Sequence, residues 1–273
     1  MSLQPCWPHS QSERPQLCSS LLHNWPQVTA LFKVGRKTLY RGYGDVMPGK
    51  MQCAFEQLLS YAGKVSHKTL PFPIADNVAK SDLKSEIECV YGKLDGILPS
   101  SPLKLHPWDT EFDGIAVELD EELHFNRYRS ITLKSAIYAR LPSFPLVDYQ
   151  RYCSEREKMC LKAGSYGGKW SNKSTQAQFG EASQPKDLSG NGSPRWKQRA
   201  FYDFVKDLSP LLLIDVKVSR VAVWDTLVVA ESTKTVREIL AASMRQSAPT
   251  AFREASSAAL AALVKERAAQ KNV

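Results

Sequence analysis

Long apolar runs are missing from this chain of 273 residues: no stretch of 18 apolar residues occurs. A membrane-spanning helix needs about 20 of them, so none is expected. The first 20 residues are polar and carry three prolines, without the charged and apolar regions of a secretory signal. The expected setting is therefore soluble and cytoplasmic, with no membrane partner. No CxxC pair is present among the six cysteines, at positions 6, 18, 53, 89, 153 and 160. Only Cys153 and Cys160 approach metal-ligand spacing, so reduced thiols are a better expectation than structural zinc. Also missing are a Walker loop, GxGxxG, GxSxG and HExxH, which removes the common signatures of nucleotide, hydrolase and zinc-protease chemistry.

What remains is ordinary in bulk: 43% hydrophobic and 23% charged residues, enough for a sizeable core. The net charge of +8 favours polyanions over acidic protein partners. Apolar spacing predicts helices over 51–62, 81–94, 121–138, 196–208, 233–244 and 249–270. Alternation predicts a strand over 112–119, and β-branched runs over 211–216 and 218–224 predict two strands or one kinked strand. The fold class is thus mixed α/β. Residues 142–195 contain GSYGGKWSNKS and GEASQPKDLSGNGSP. So much glycine, serine and proline reads as a long insertion or flap, a possible seat for a protein partner. The expected organisation is an N-terminal extension (1–80), a core (81–246) holding that insertion, and a C-terminal helix (247–273). The tryptophans at 25, 108 and 224 are expected in the core.

Chemistry concentrates in one acidic run, Asp113-Gly-Ile-Ala-Val-Glu118-Leu-Asp120-Glu-Glu-Leu-His124. Side chains two apart on a strand share a face, so Glu118 and Asp120 point the same way. Asp113 joins them only if the strand bends, which Gly114 permits, or if Asp113 lies on a preceding turn or strand. Converging carboxylates repel one another and call for a hard divalent cation such as Mg²⁺ or Mn²⁺. The plain alternative is a solvated strand edge with Asp120 capping the helix that follows. Cations mixed with an aromatic at Arg195-Trp196-Lys197-Gln198-Arg199, and Arg127 and Arg129 in HFNRYR, suit phosphate gripping and base stacking.

The stretch FDGIAVELDEELHF resembles the PD-(D/E)xK nuclease superfamily, and within it the branch of very-short-patch-repair endonucleases. The similarity extends to the helix with Glu86, to WKQRAFYDFVKDL with Asp203, and to SRVAVWDTLV. It implies a restriction-endonuclease-like mixed sheet flanked by helices, with extra N-terminal and C-terminal helical segments. It also implies metal-dependent cleavage of DNA in repair or defence. Asp113 and Glu118 would hold Mg²⁺ or Mn²⁺, with Glu86 reaching the ion from its helix. Asp120 would be a further ligand or orient a water, and His124 would act as acid or base or contact a phosphate. The lysine of the family motif is absent, since position 120 is Asp; Lys134, Lys197 and Lys206 are candidates to replace it. That gap motivates the alternative of a non-catalytic subunit that keeps the fold and binds nucleic acid or a partner.

Overall fold

In the computed structural model the chain order begins with α1 (Lys50–Ser60), β1 (Val65–Ser66), α2 (Ala75–Ala79) and α3 (Lys84–Lys93). Strands β2 (Thr110–Phe112) and β3 (Ile115–Asp120) follow, then a 3₁₀ turn (Glu122–His124), α4 (Arg127–Thr132) and a second 3₁₀ turn (Ala136–Arg140). Helices α5 (Leu146–Gly164), α6 (Gly167–Trp170), α7 (Lys173–Phe179), α8 (Pro194–Asp207) and α9 (Ser209–Leu212) lead to β4 (Lys217–Ala222). The hairpin β5 (Thr226–Val229) and β6 (Ser232–Thr235), α10 (Val236–Ser243) and α11 (Thr250–Ala268) complete the order. The structure describes residues 49–269, which fall in one compact unit. Trp25 and the N-terminal arm lie outside the described residues.

The main sheet has the order β1-β2-β3-β4. β1, β2 and β3 are antiparallel neighbours, while β3 and β4 are parallel. Parallel neighbours need a long crossover, and here it is helical from α4 to α9. Every residue of β3 is buried, as expected of a strand covered on both faces. α11 runs alongside β4, and its buried Ser256, Ser257 and Ala261 are small enough to allow close approach.

Several sequence expectations change. The single strand over 112–119 is a hairpin: Asp113 and Gly114 both adopt left-handed φ, 48° and 78°. Asp-Gly is the pair that a two-residue hairpin turn of this kind favours. The helix over 121–138 is broken in two places by cap residues. The Asn126 side chain accepts from the Tyr128 and Arg129 amides, and Ser135 accepts from the Ile137 amide. Residues 211–216 are not a strand, since α9 covers part of them and Asp215 takes a left-handed turn conformation.

Residues 142–195 are not a flap. α5, α6 and α7 fill most of the segment, and Trp170 from α6 packs edge-on against Trp196 of α8 at 5.2 Å between ring centroids. Phe179 of α7 packs against Tyr91 of α3 at 5.3 Å. Its glycines and polar residues serve caps and turns: Asn172 caps α7, and Ser193 with Pro194 opens α8. α1, β1 and α11 are likewise integral rather than appended. Trp108 and Trp224 are buried as expected. Cys89, Cys153 and Cys160 are free thiols, but Cys53 is disulfide-bonded, which departs from uniformly reduced cysteine. Among the described residues no helix is long and apolar enough to cross a membrane.

Candidate functional site

Three elements converge at the C-terminal end of β3. Glu118 and Asp120 share one face of that strand. The parallel register sets Arg220 of β4 beside Glu118. From α8, Asp203, Lys206 and Asp207 project onto the same face, because positions i, i+3 and i+4 of a helix share a side. The result is a buried ionic network.

Arg220 is its centre, with a side chain only 1% exposed. Its Nη1 donates to Asp120 Oδ1 at 2.7 Å and lies 3.4 Å from Asp203 Oδ1, while Nε donates to Asp207 Oδ1 at 2.8 Å. Asp207 also accepts from Arg129 Nη2 at 2.5 Å and Tyr138 Oη at 2.6 Å. Asp120 accepts from Tyr149 Oη at 2.7 Å. Lys206 Nζ donates to Glu118 Oε1 at 2.6 Å and lies over the Trp108 ring. Isolated buried charges are very costly, so such a set survives only when mutually paired.

His124, on the first 3₁₀ turn, closes the network. Its Nδ1 lies 2.8 Å from Asp203 Oδ2 and 3.2 Å from Asp120 Oδ1. Burial alone would lower its pKa, but Asp203 and Asp120 outweigh burial and raise it. Burial likewise opposes ionisation of Asp203, yet His124 and Arg220 hold its carboxyl well below the usual range. Glu118 is pushed up to about 7, first by burial and then by Asp109, against the pull of Lys206 and Arg220. Asp109 reaches the surface beside them. Its amide donates to Glu118 Oε1 at 3.3 Å and its Oδ2 accepts from the Leu119 amide at 3.1 Å. Crowding by protein raises the Asp109 pKa, with Lys206 opposing.

Asp120, His124 and Asp203 offer ligand atoms that all lie within 4.8 Å of one another. Cis ligands on an ion with bonds of about 2.1 Å sit about 3 Å apart, close to the 2.8 and 3.2 Å found from Nδ1 to the two carboxylates. Two carboxylates and one imidazole suit Mn²⁺ better than Mg²⁺, which prefers oxygen alone.

Of the expected site residues, the structure brings together Glu118, Asp120 and His124. It does not bring Asp113 or Glu86. Asp113 sits on the β2–β3 turn at the opposite end of β3, accepting from the Lys64 amide and pairing with Lys265 at 3.0 Å. Six residues lie between it and Asp120, and β3 carries the two about 20 Å apart at about 3.3 Å per residue, so one ion cannot touch both. Glu86 accepts from Ser135 Oγ and belongs to the contact of α3 with the turn after α4.

The expected phosphate grips are also redistributed. Arg129, Trp196 and Lys197 are buried. Arg129 holds Asp207, Trp196 packs on Trp170, and Lys197 Nζ donates to Asp95 Oδ2 and Asn191 Oδ1. None of the three can meet a nucleic acid. Arg127 is engaged by both carboxylate oxygens of Glu157. Arg195 donates to Gln198. Arg199 stands beside His124 with one long hydrogen bond, Nη1 to Leu123 O at 3.4 Å. Burial and neighbouring Arg195 lower its pKa.

A family model matches residues 89–242, more than half of the chain. The chain belongs to DUF7255, a family of unknown function. The DUF7255 region contains the whole network from Asp109 to Arg220 and leaves α1, β1 and α11 outside. No curated protein and no solved structure matches the chain.

Sequence reasoning missed Arg220, Asp207 and Asp109 as members of the network. Arg220 lies inside an apolar strand, SRVAVW. A lone arginine in such a run is a signal that it must meet carboxylates, because it cannot be neutral.

Proposed function

We propose that the protein is a metal-dependent nuclease whose ion is held by Asp120, His124 and Asp203. The observation that supports this most is that ligand atoms from three different elements lie within 4.8 Å of one another, with His124 Nδ1 at 2.8 and 3.2 Å from the two carboxylates. His124 is also the most open of the three, with a side chain 21% exposed against 2% for Asp120 and 6% for Asp203. A divalent ion there would supply Lewis acidity and an activated water.

The chain's own residues do the rest. Arg220 and Tyr149 fix the Asp120 carboxylate, and Arg220 fixes Asp203. Lys206, borne on a helix, stands against Glu118 and takes the place of the lysine missing from the E-x-D motif. Arg199, beside His124 and poor in protein partners, is placed to receive a phosphate. The excess positive charge draws a polyanion, and DNA is the substrate that the PD-(D/E)xK resemblance suggests.

The test is plasmid nicking with Mn²⁺. Wild type should nick, and Asp203→Asn and His124→Gln, if folded, should not. Asp113→Ala should nick as wild type does. Absence of nicking by wild type on double- and single-stranded DNA would remove the nuclease reading.

One observation favours a second reading. Each of the acids Glu118, Asp120, Asp203 and Asp207 is paired with Arg129, Arg220, Lys206 or His124. A network so paired holds the fold without an ion, as a non-catalytic nucleic-acid- or partner-binding subunit would need. That reading expects salt-sensitive DNA binding with no nicking.

A further inference from the structure

A cavity of about 580 Å³ lies between the 140–145 segment, α9, β4 and the end of α11. That volume is in the range of small-molecule sites. Four cations line it, Arg140, Lys217, Arg220 and Arg267, against one acid, Asp207, with Phe144 supplying an aromatic wall. Arg220 and Asp207 satisfy each other, so they contribute little net charge. The other cations do not all have partners. Lys217 is exposed, and its ammonium makes no ion pair or hydrogen bond among the described residues. Arg267 is nine-tenths buried, yet only its Nη1 is used, donating to Arg220 O at 2.7 Å and to Asp225 Oδ2. Its Nε and Nη2 make no hydrogen bond to the described protein.

We propose that this cavity binds a small organic anion, its carboxylate or phosphate held by Arg267 and Lys217 and its apolar body resting on Phe144. A guanidinium with free N–H groups in a partly desolvated wall is the arrangement that recognises such a group. The site is separate from the nuclease reading and stands without it. Its inner wall nonetheless touches the network, because Arg220 Nη1 also holds Asp120 and Asp203.

Calorimetric titration of the full chain with phenyl phosphate, benzoate and neutral benzyl alcohol tests the proposal. Saturable binding of at least one anion and none of the alcohol is expected, and whichever anion binds tells phosphate from carboxylate. Lys217→Gln should weaken binding about tenfold, the loss of one charge-assisted contact, and Arg267→Gln at least as much. Lys217 has no partner to lose, so its variant remains informative if Arg267→Gln fails to fold. Three results would overturn the site: no saturable anion binding, equal binding of the alcohol, or wild-type affinity in Lys217→Gln.

Discussion

Arg220 Nη1 lies 2.7 Å from Asp120 Oδ1, on the neighbouring parallel strand, with both side chains almost wholly buried. Around this pair the network is closed on three sides by Asp203, Asp207 and Glu118. Removing the guanidinium strands several buried carboxylates at once. Arg220→Met is therefore expected to cost at least about 3–5 kcal/mol, the size seen when one partner of a buried pair is deleted. Arg220→Lys should not rescue it, since a single ammonium cannot reach Asp120 and Asp207 together. Chemical denaturation of both variants checks this; wild-type stability in either would show that the network contributes little.

Trp196 and Lys197 separate structure from binding. Trp196→Ala removes a fully buried ring from the contact with Trp170 and should cost about 3–5 kcal/mol. DNA affinity of the folded protein should stay unchanged. Arg199→Ala should do the opposite. Stability should hold, while DNA affinity falls and the salt slope of binding drops by about 1, as for one lost phosphate contact. Fluorescence anisotropy over a salt series measures both.

Much of the helical frame was legible in sequence, because α1, α3, α8, α10 and α11 each carry apolar spacing close to their observed bounds. The shared face of Glu118 and Asp120 was also legible, since a period of two fixes it. The partners of that face were not. Asp203 and Arg220 lie about 80 and 100 residues away, and no local pattern reports which distant helix or strand supplies them. Asp113 misled for a definable reason. Sequence allows either a bend at Gly114 or a place for Asp113 on a preceding turn or strand; the Asp-Gly pair is a hairpin turn, and it carries Asp113 to the far end of β3 instead of back to Glu118. The 142–195 segment misled because its polar and glycine-rich composition hides caps between short helices. The β5–β6 hairpin went unseen, as its turn is Ala230-Glu231, both in left-handed φ, without the usual glycine or asparagine.

Glu111 offers a pH prediction away from the candidate site. Burial alone would raise its pKa, but the Leu70 and Thr69 amides and the Thr69 and Ser66 hydroxyls donate to the carboxylate and the net shift is downward. A carboxyl with a lowered folded pKa stabilises the fold above its unfolded pKa of about 4.3 and loses that contribution as pH falls through the folded value. Glu111→Gln should thus be less stable than wild type at pH 7, with the gap closing below about pH 4. Denaturation midpoints from pH 2 to 7 read it; a gap independent of pH would contradict the ionised role of Glu111.

The most direct measurement is diffraction at the manganese absorption edge from crystals of the full chain soaked in Mn²⁺. The expected result is one anomalous peak within bonding distance of Asp120, His124 Nδ1 and Asp203, lost in Asp203→Asn. If the soaked crystals show no peak there, with His124 still bridging the two carboxylates, the three residues are a structural ion cluster and not a metal centre.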